Sequence, residues 1–157
     1  MVAVTLVIGG SFIFKGLKNI YFAQKSLQWP ITEGRIISSG IEQQKRTYVK
    51  YTGVKKETTY DAQILYEYEI DGISYSGNRV AYAGRFFMKD QVLAKFEVKQ
   101  YPTGEKVSVS YHPLKPETSV LKPGLPPLAW IEPAFGVIVI LLGAVTAIAL
   151  PRKNSRP

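Results

Sequence analysis

Two uncharged apolar stretches bracket a middle in which apolar and polar residues alternate. Met1 to Phe14 contains no charged residue, and Ala134 to Leu150 is apolar apart from its two glycines and Thr146. A bilayer core of about 30 Å needs about 20 helical residues at 1.5 Å each, and residues 128–150 supply 23. Pro133 suits the first turn of a helix, Trp130 the headgroup level, and Pro151 the end. This predicts a transmembrane helix over 128–150. Met1 to Phe14 spans only about 21 Å as a helix. A first transmembrane helix with its juxtamembrane extension, over 1–25, must therefore continue past Lys15 and Lys18, whose side chains can reach the interface, unless translation starts further upstream.

Between these segments, residues 26–127 read as one water-exposed domain. In Ala62 to Ile70, Ile64, Tyr66, Tyr68 and Ile70 alternate with Gln63, Leu65, Glu67 and Glu69, the period of a half-buried strand. Asp71-Gly72 follows, and Ile73 to Val80 completes a β-hairpin. Further strands are expected at Thr32 to Ile41 and Lys106 to Tyr111, with a short one near Ser119 to Leu121. Met88, Val92, Leu93 and Phe96 recur at helical spacing before the turn Tyr101-Pro102-Thr103-Gly104. Gln43 to Thr59 is polar and basic, which suggests an exposed loop or irregular hairpin. The fold class is mainly β (α+β): an antiparallel β-sandwich or barrel-like domain with one short helix, flanked by two transmembrane helices.

The net charge of +8 changes this picture only through its location. Residues 26–127 hold 14 Lys and Arg against 11 Asp and Glu, an excess of +3. The remaining +5 comes from Lys15, Lys18, Lys25, Arg152, Lys153 and Arg156 against Glu132, beside the apolar segments. Anionic headgroups and topology explain basic residues there, and no nucleic-acid reading motif accompanies them. Basic residues follow the first apolar stretch instead of preceding it, and no A-x-A pattern comes after, so the segment is expected to stay as an anchor. The basic tail 151–157 points to cytoplasmic termini and an extracytoplasmic domain, although Lys15, Lys18 and Lys25 pull the other way.

Chemistry is sparse. The absence of cysteine excludes disulfides, thiolate zinc sites and a Cys nucleophile. His112 is the single histidine and reads as a turn residue without the partners a general base needs. Gly72 to Gly77 lacks the G-x-S-x-G spacing of a nucleophile elbow, and no phosphate-cradling glycine motif occurs. No catalytic residue, metal ligand or cofactor is expected, so the protein is not read as an enzyme.

The order Trp29-Pro30, Thr32-Glu33-Gly34-Arg35-Ile36, Tyr66-Glu67-Tyr68 with Asp71-Gly72 and Tyr75, Tyr101-Pro102-Thr103-Gly104, Val107 to Pro113, Pro116-Glu117-Thr118 and Leu121-Lys122-Pro123-Gly124 resembles the uncharacterised bacterial family DUF3592. That resemblance covers Trp29 to Gly124 and implies flanking membrane helices around a β-rich domain, with no assigned activity. The basic insertion around Lys45 to Lys56 and His112 depart from the family's pattern.

Two surfaces remain as interaction candidates. Glu132, Gly136, Gly143 and Ala147 fall on one face of the second apolar helix, where small residues let another helix approach closely. The partner is either the first helix or another protein. Arg79, Tyr82, Arg85, Phe86 and Phe87 combine residue types favoured in binding hot spots. The expected function is a non-enzymatic accessory or assembly subunit of a larger membrane protein complex, two-pass in the bacterial inner membrane. The alternative is an extracytoplasmic domain that binds an envelope polymer or lipid headgroup.

Overall fold

The computed structural model describes residues 2–51, 53–82 and 90–149. Three helices and five strands follow one another as α1 (Val2–Ser26), β1 (Ile31–Lys50), β2 (Gly53–Ile70), β3 (Ile73–Gly77), α2 (Gln91–Gln100), β4 (Lys106–His112), β5 (Lys115–Val120) and α3 (Ile131–Ala149). The strands form one antiparallel sheet in the order β3-β2-β1-β4-β5.

The β2–β3 hairpin turns at Asp71 and Gly72, whose φ angles of 52° and 78° are those of a two-residue turn matched to strand twist. The alternation in β2 puts Ala62, Ile64, Tyr66 and Tyr68 into the core, where they join Ile36, Val80, Tyr101, Val109 and Leu121. No second sheet packs over the first among the described residues. Instead the two edges approach each other: Leu121 and Lys122 N–H groups after β5 donate to the Arg79 and Val80 carbonyls after β3, at 3.3 and 2.7 Å. The sheet therefore curls until its two edges meet, so that one face of five strands encloses a core.

Gly34 lies where β1 passes closest to its neighbours. A Cβ there would sit 2.7 Å from both the Glu67 carbonyl oxygen and Val109 Cγ2. The register shift in β1 comes next, between Ile36 and Ser38. Beyond it, Gln43 to Thr59 takes the hairpin alternative, and the hairpin is regular. Continuous pairing from Glu42 with Asp61 to Lys50 with Gly53 makes a regular two-stranded ribbon extending past the sheet.

Helix α2 differs from the expected face. Asp90 caps it by accepting from Val92 N–H at 2.7 Å, but Val92 and Phe96 are exposed and Ala94 is buried. The small Ala94 lets the helix backbone approach the sheet, and its weak amphipathicity left the sequence pattern ambiguous; Met88 lies outside the described residues.

Among the described residues no helix is long and apolar enough to cross a membrane. Helix α1 is long but carries Lys15 and Lys18. Helix α3 is apolar, but turns occupy 128–130 and its 19 residues reach about 28 Å. The two transmembrane spans expected from the sequence are therefore not met by any described helix.

Candidate functional site

Three regions collect the candidate residues. In the first, α1 and α3 pack along their lengths with glycines at the points of closest approach. A Cβ on Gly136 would meet the Gly9 carbonyl oxygen at 2.7 Å and Ile13 N at 3.0 Å, and one on Gly9 would meet the Gly136 oxygen at 2.8 Å. Gly16 faces Pro133 in the same way, and Gly143 faces Thr5. Phe12 and Phe135 close the seam edge to face at 5.3 Å. Gly9 and Gly16, like Gly136 and Gly143, are seven residues apart, which returns each pair to one helix face. That matched spacing was the available sign that α1 supplies the complementary surface. Ala147 belongs to α3, and its side chain falls outside the described residues.

Glu132 opens α3 in this seam. It is 8% exposed. Oε2 accepts from Asn19 Nδ2 at 3.2 Å, Lys15 Nζ lies 3.9 Å from Oε1, and Oε1 has no hydrogen-bond partner among the described residues. The carboxylate ties the start of α3 to the middle of α1, near the favourable N-terminal end of the helix dipole.

The second region is an aromatic joint between α1 and the sheet. Tyr82 stacks on Phe22 at 5.3 Å and meets the edge of Trp29 at 5.8 Å, with the Arg79 guanidinium 4.4 Å above its ring. Trp29 is buried here and contacts His112 at 5.3 Å. Arg79 and Tyr82 thus join the helix to the domain. Arg85, Phe86 and Phe87 lie outside the described residues. Ser26, which nothing in the pattern marked, is buried and holds the same joint. It donates to the Ala23 carbonyl at 2.6 Å and accepts from Gly124 N–H at 3.0 Å. His112 Nδ1 accepts from Leu114 N–H at 3.1 Å, which places it as a turn residue.

The third region is the ribbon. Residues 42–61 carry Lys45, Arg46, Lys50, Lys55 and Lys56 against Glu42, Glu57 and Asp61. Cross-strand partners share a face, so the register separates these charges. Lys45 pairs with Thr58, Thr47 with Lys56 and Val49 with Val54, giving a face with two lysines and no carboxylate, while Arg46 opposite Glu57, Lys55, and the Glu42–Asp61 pair lie on the other. Val49 and Val54 are exposed. Among the described residues no group of three metal-ligating side chains comes together.

Residues 32–126 match the family model described as Domain of unknown function (DUF3592). A comparison with curated proteins gave no match.

Proposed function

The chain belongs to the DUF3592 family, and from that premise we propose that it is a non-enzymatic, membrane-anchored interaction module that presents the 42–61 ribbon to an acidic surface of a larger membrane protein complex. The carrying observation is the ribbon's pairing register, which leaves Lys45 and Lys56 together on a face without carboxylates. Nine residue pairs from Glu42–Asp61 to Lys50–Gly53 reach about 30 Å at ~3.3 Å per residue. The ribbon's charge repels other copies of itself and attracts an acidic partner.

The anchoring part of the reading rests on the outer surface of the helix pair. Val7 and Phe14 are 69% and 73% exposed, and Leu141, Leu142 and Val145 are similarly bare. So large an apolar jacket is unfavourable in water, at about 25 cal/mol per Å², and marks contact with lipid or with other apolar helices. A helix such as α3, slightly shorter than the apolar layer, is accommodated by local thinning, and the lysines of the longer α1 reach the headgroups. The proposed setting is two-pass in a bacterial cytoplasmic membrane, with the domain outside; an impermeant thiol reagent should then label Val49→Cys in intact cells. Failure to label it without permeabilisation reverses the orientation.

Copurification in mild detergent tests the function. The native chain should retain stoichiometric partners that Lys45→Glu combined with Lys56→Glu loses at unchanged abundance. Partners retained in full by the charge-reversed ribbon, or none with the native chain, contradict this role.

A further inference from the structure

A cleft of about 450 Å³ lies between the last turns of α1 and the β4–β5 hairpin, lined by Tyr21, Phe22, Lys25, Gln28, Trp29 and His112. That volume falls within the ~300–1,000 Å³ range of small-molecule sites. Its walls are largely aromatic, and its polar lining includes the nitrogen groups of Lys25, Gln28 and His112 but no carboxylate. Lys25 Nζ sits 5.8 Å from the centre of the Tyr21 ring, α1 contains no acidic residue, and Lys25 has no carboxylate partner among the described residues. Because His112 Nδ1 accepts from Leu114 N–H, the neutral ring carries its proton on Nε2. This nitrogen has no other bond among the described residues. Lys25 and His112 thus give the cleft one cation and one fixed donor, while neither cleft residue nor neighbouring helix supplies a carboxylate.

The position selects the ligand. Tyr21 to Lys25 continue about 5–10 Å along the helix past Lys18, on the domain side of the point where Glu132 and Pro133 bring α3 against α1. With the α1–α3 pair in a bilayer, this is the headgroup layer, which is several ångströms thick. Aromatic rings suit the boundary between acyl chain and headgroup, and a lysine suits a phosphate as a point charge.

We propose that this cleft binds the phosphate of an anionic phospholipid headgroup, with Lys25 Nζ and His112 Nε2–H as donors and Tyr21, Phe22 and Trp29 against its glycerol and upper acyl carbons. This assignment rests on the reading that the helix pair enters a bilayer. It makes the joint between helix and domain responsive to the lipid around it, since Trp29 also contacts Tyr82.

Full-length protein carrying Trp130→Phe, so that Trp29 alone reports, is titrated in neutral detergent with short-chain phosphatidylglycerol, short-chain phosphatidylcholine, glycerol phosphate and inorganic phosphate. A saturable change in Trp29 emission is expected with phosphatidylglycerol. It should be about tenfold weaker in Lys25→Gln, restored in Lys25→Arg and weakened several-fold in His112→Phe, with thermal midpoints unchanged. Equal affinity for glycerol phosphate or inorganic phosphate overturns the lipid assignment in favour of a soluble phosphate compound. A flat titration, or one unaltered in Lys25→Gln, overturns the site. Alkaline extraction of cell membranes separates the two failures: a chain released by it contradicts the membrane reading, whereas a retained chain with a flat titration contradicts the cleft alone.

Discussion

Gly136→Leu will separate α1 from α3 while leaving the β domain folded. A Cβ at this position meets the Gly9 carbonyl oxygen at 2.7 Å and Ile13 N at 3.0 Å, and backbone atoms of a regular helix cannot step aside as a side-chain tip can. Overpacking a well-fitted core costs roughly 1–3 kcal/mol. Here the whole leucine side chain must also be placed, so the two helices have to part. The measurement is the nuclear Overhauser contact between the Phe12 and Phe135 rings, 5.3 Å apart in the native pair, which should vanish. Contacts between Tyr68 and Tyr75, stacked at 5.8 Å, should persist. Gly10→Leu is the control, because no atom lies within 4 Å of a Cβ there. A retained Phe12–Phe135 contact in Gly136→Leu would show that the seam lies elsewhere.

Tyr66→Ala should remove a large part of the domain's stability, about 3–5 kcal/mol for emptying a large aromatic site out of a usual total of ~5–15 kcal/mol. Tyr66 is fully buried, and its hydroxyl lies 3.0 Å from both the Arg79 carbonyl and Ser119 Oγ. It links the two edges of the curled sheet. Tyr66→Phe keeps the ring but leaves the Arg79 carbonyl and Ser119 without this partner, which costs about 1–3 kcal/mol. The same burial pushes the Tyr66 and Tyr101 hydroxyls up to about 12 from an ordinary value near 10. Between these two values the unfolded chain loses a phenolic proton that the folded chain retains, so stability is full below pH 10 and falls as pH rises toward 12. Urea unfolding at pH 9 and at pH 11 should show this loss, and Tyr66→Phe should reduce the difference between them. Equal stability of wild type at both pH values would contradict the burial of these hydroxyls.

The strand pattern was legible where burial alternates with period two. Ala62 to Ile70 and its Asp71-Gly72 turn carry local information sufficient to place a hairpin, and Val107 and Val109 mark β4 in the same way. The ribbon was opaque because both of its faces meet water, leaving no hydrophobic alternation between Gln43 and Thr59; only pairing register reveals its segregated charge. The face of α2 was misread because the packing residue is Ala94, whose small size matters more than the larger apolar side chains beside it. On the helix seam, Gly136 and Gly143 stood out within an apolar run. Their counterparts Gly9 and Gly16 were visible at equal spacing but had no assigned partner until α1 and α3 were brought together. The aromatic joint could not be read at all, since Phe22, Trp29, Tyr82 and His112 come from four separate parts of the chain.

The central proposal is that the helix pair sits in lipid while the ribbon stands in water, and site-specific quenching tests it most directly. The chain has no cysteine, so Val7→Cys, Leu141→Cys and Val49→Cys can each carry one environment-sensitive fluorophore in bilayer discs. Labels at 7 and 141 should be quenched by brominated acyl chains and shielded from iodide, while the label at 49 should show the reverse. Iodide access at 7 and 141 equal to that at 49 would contradict the account.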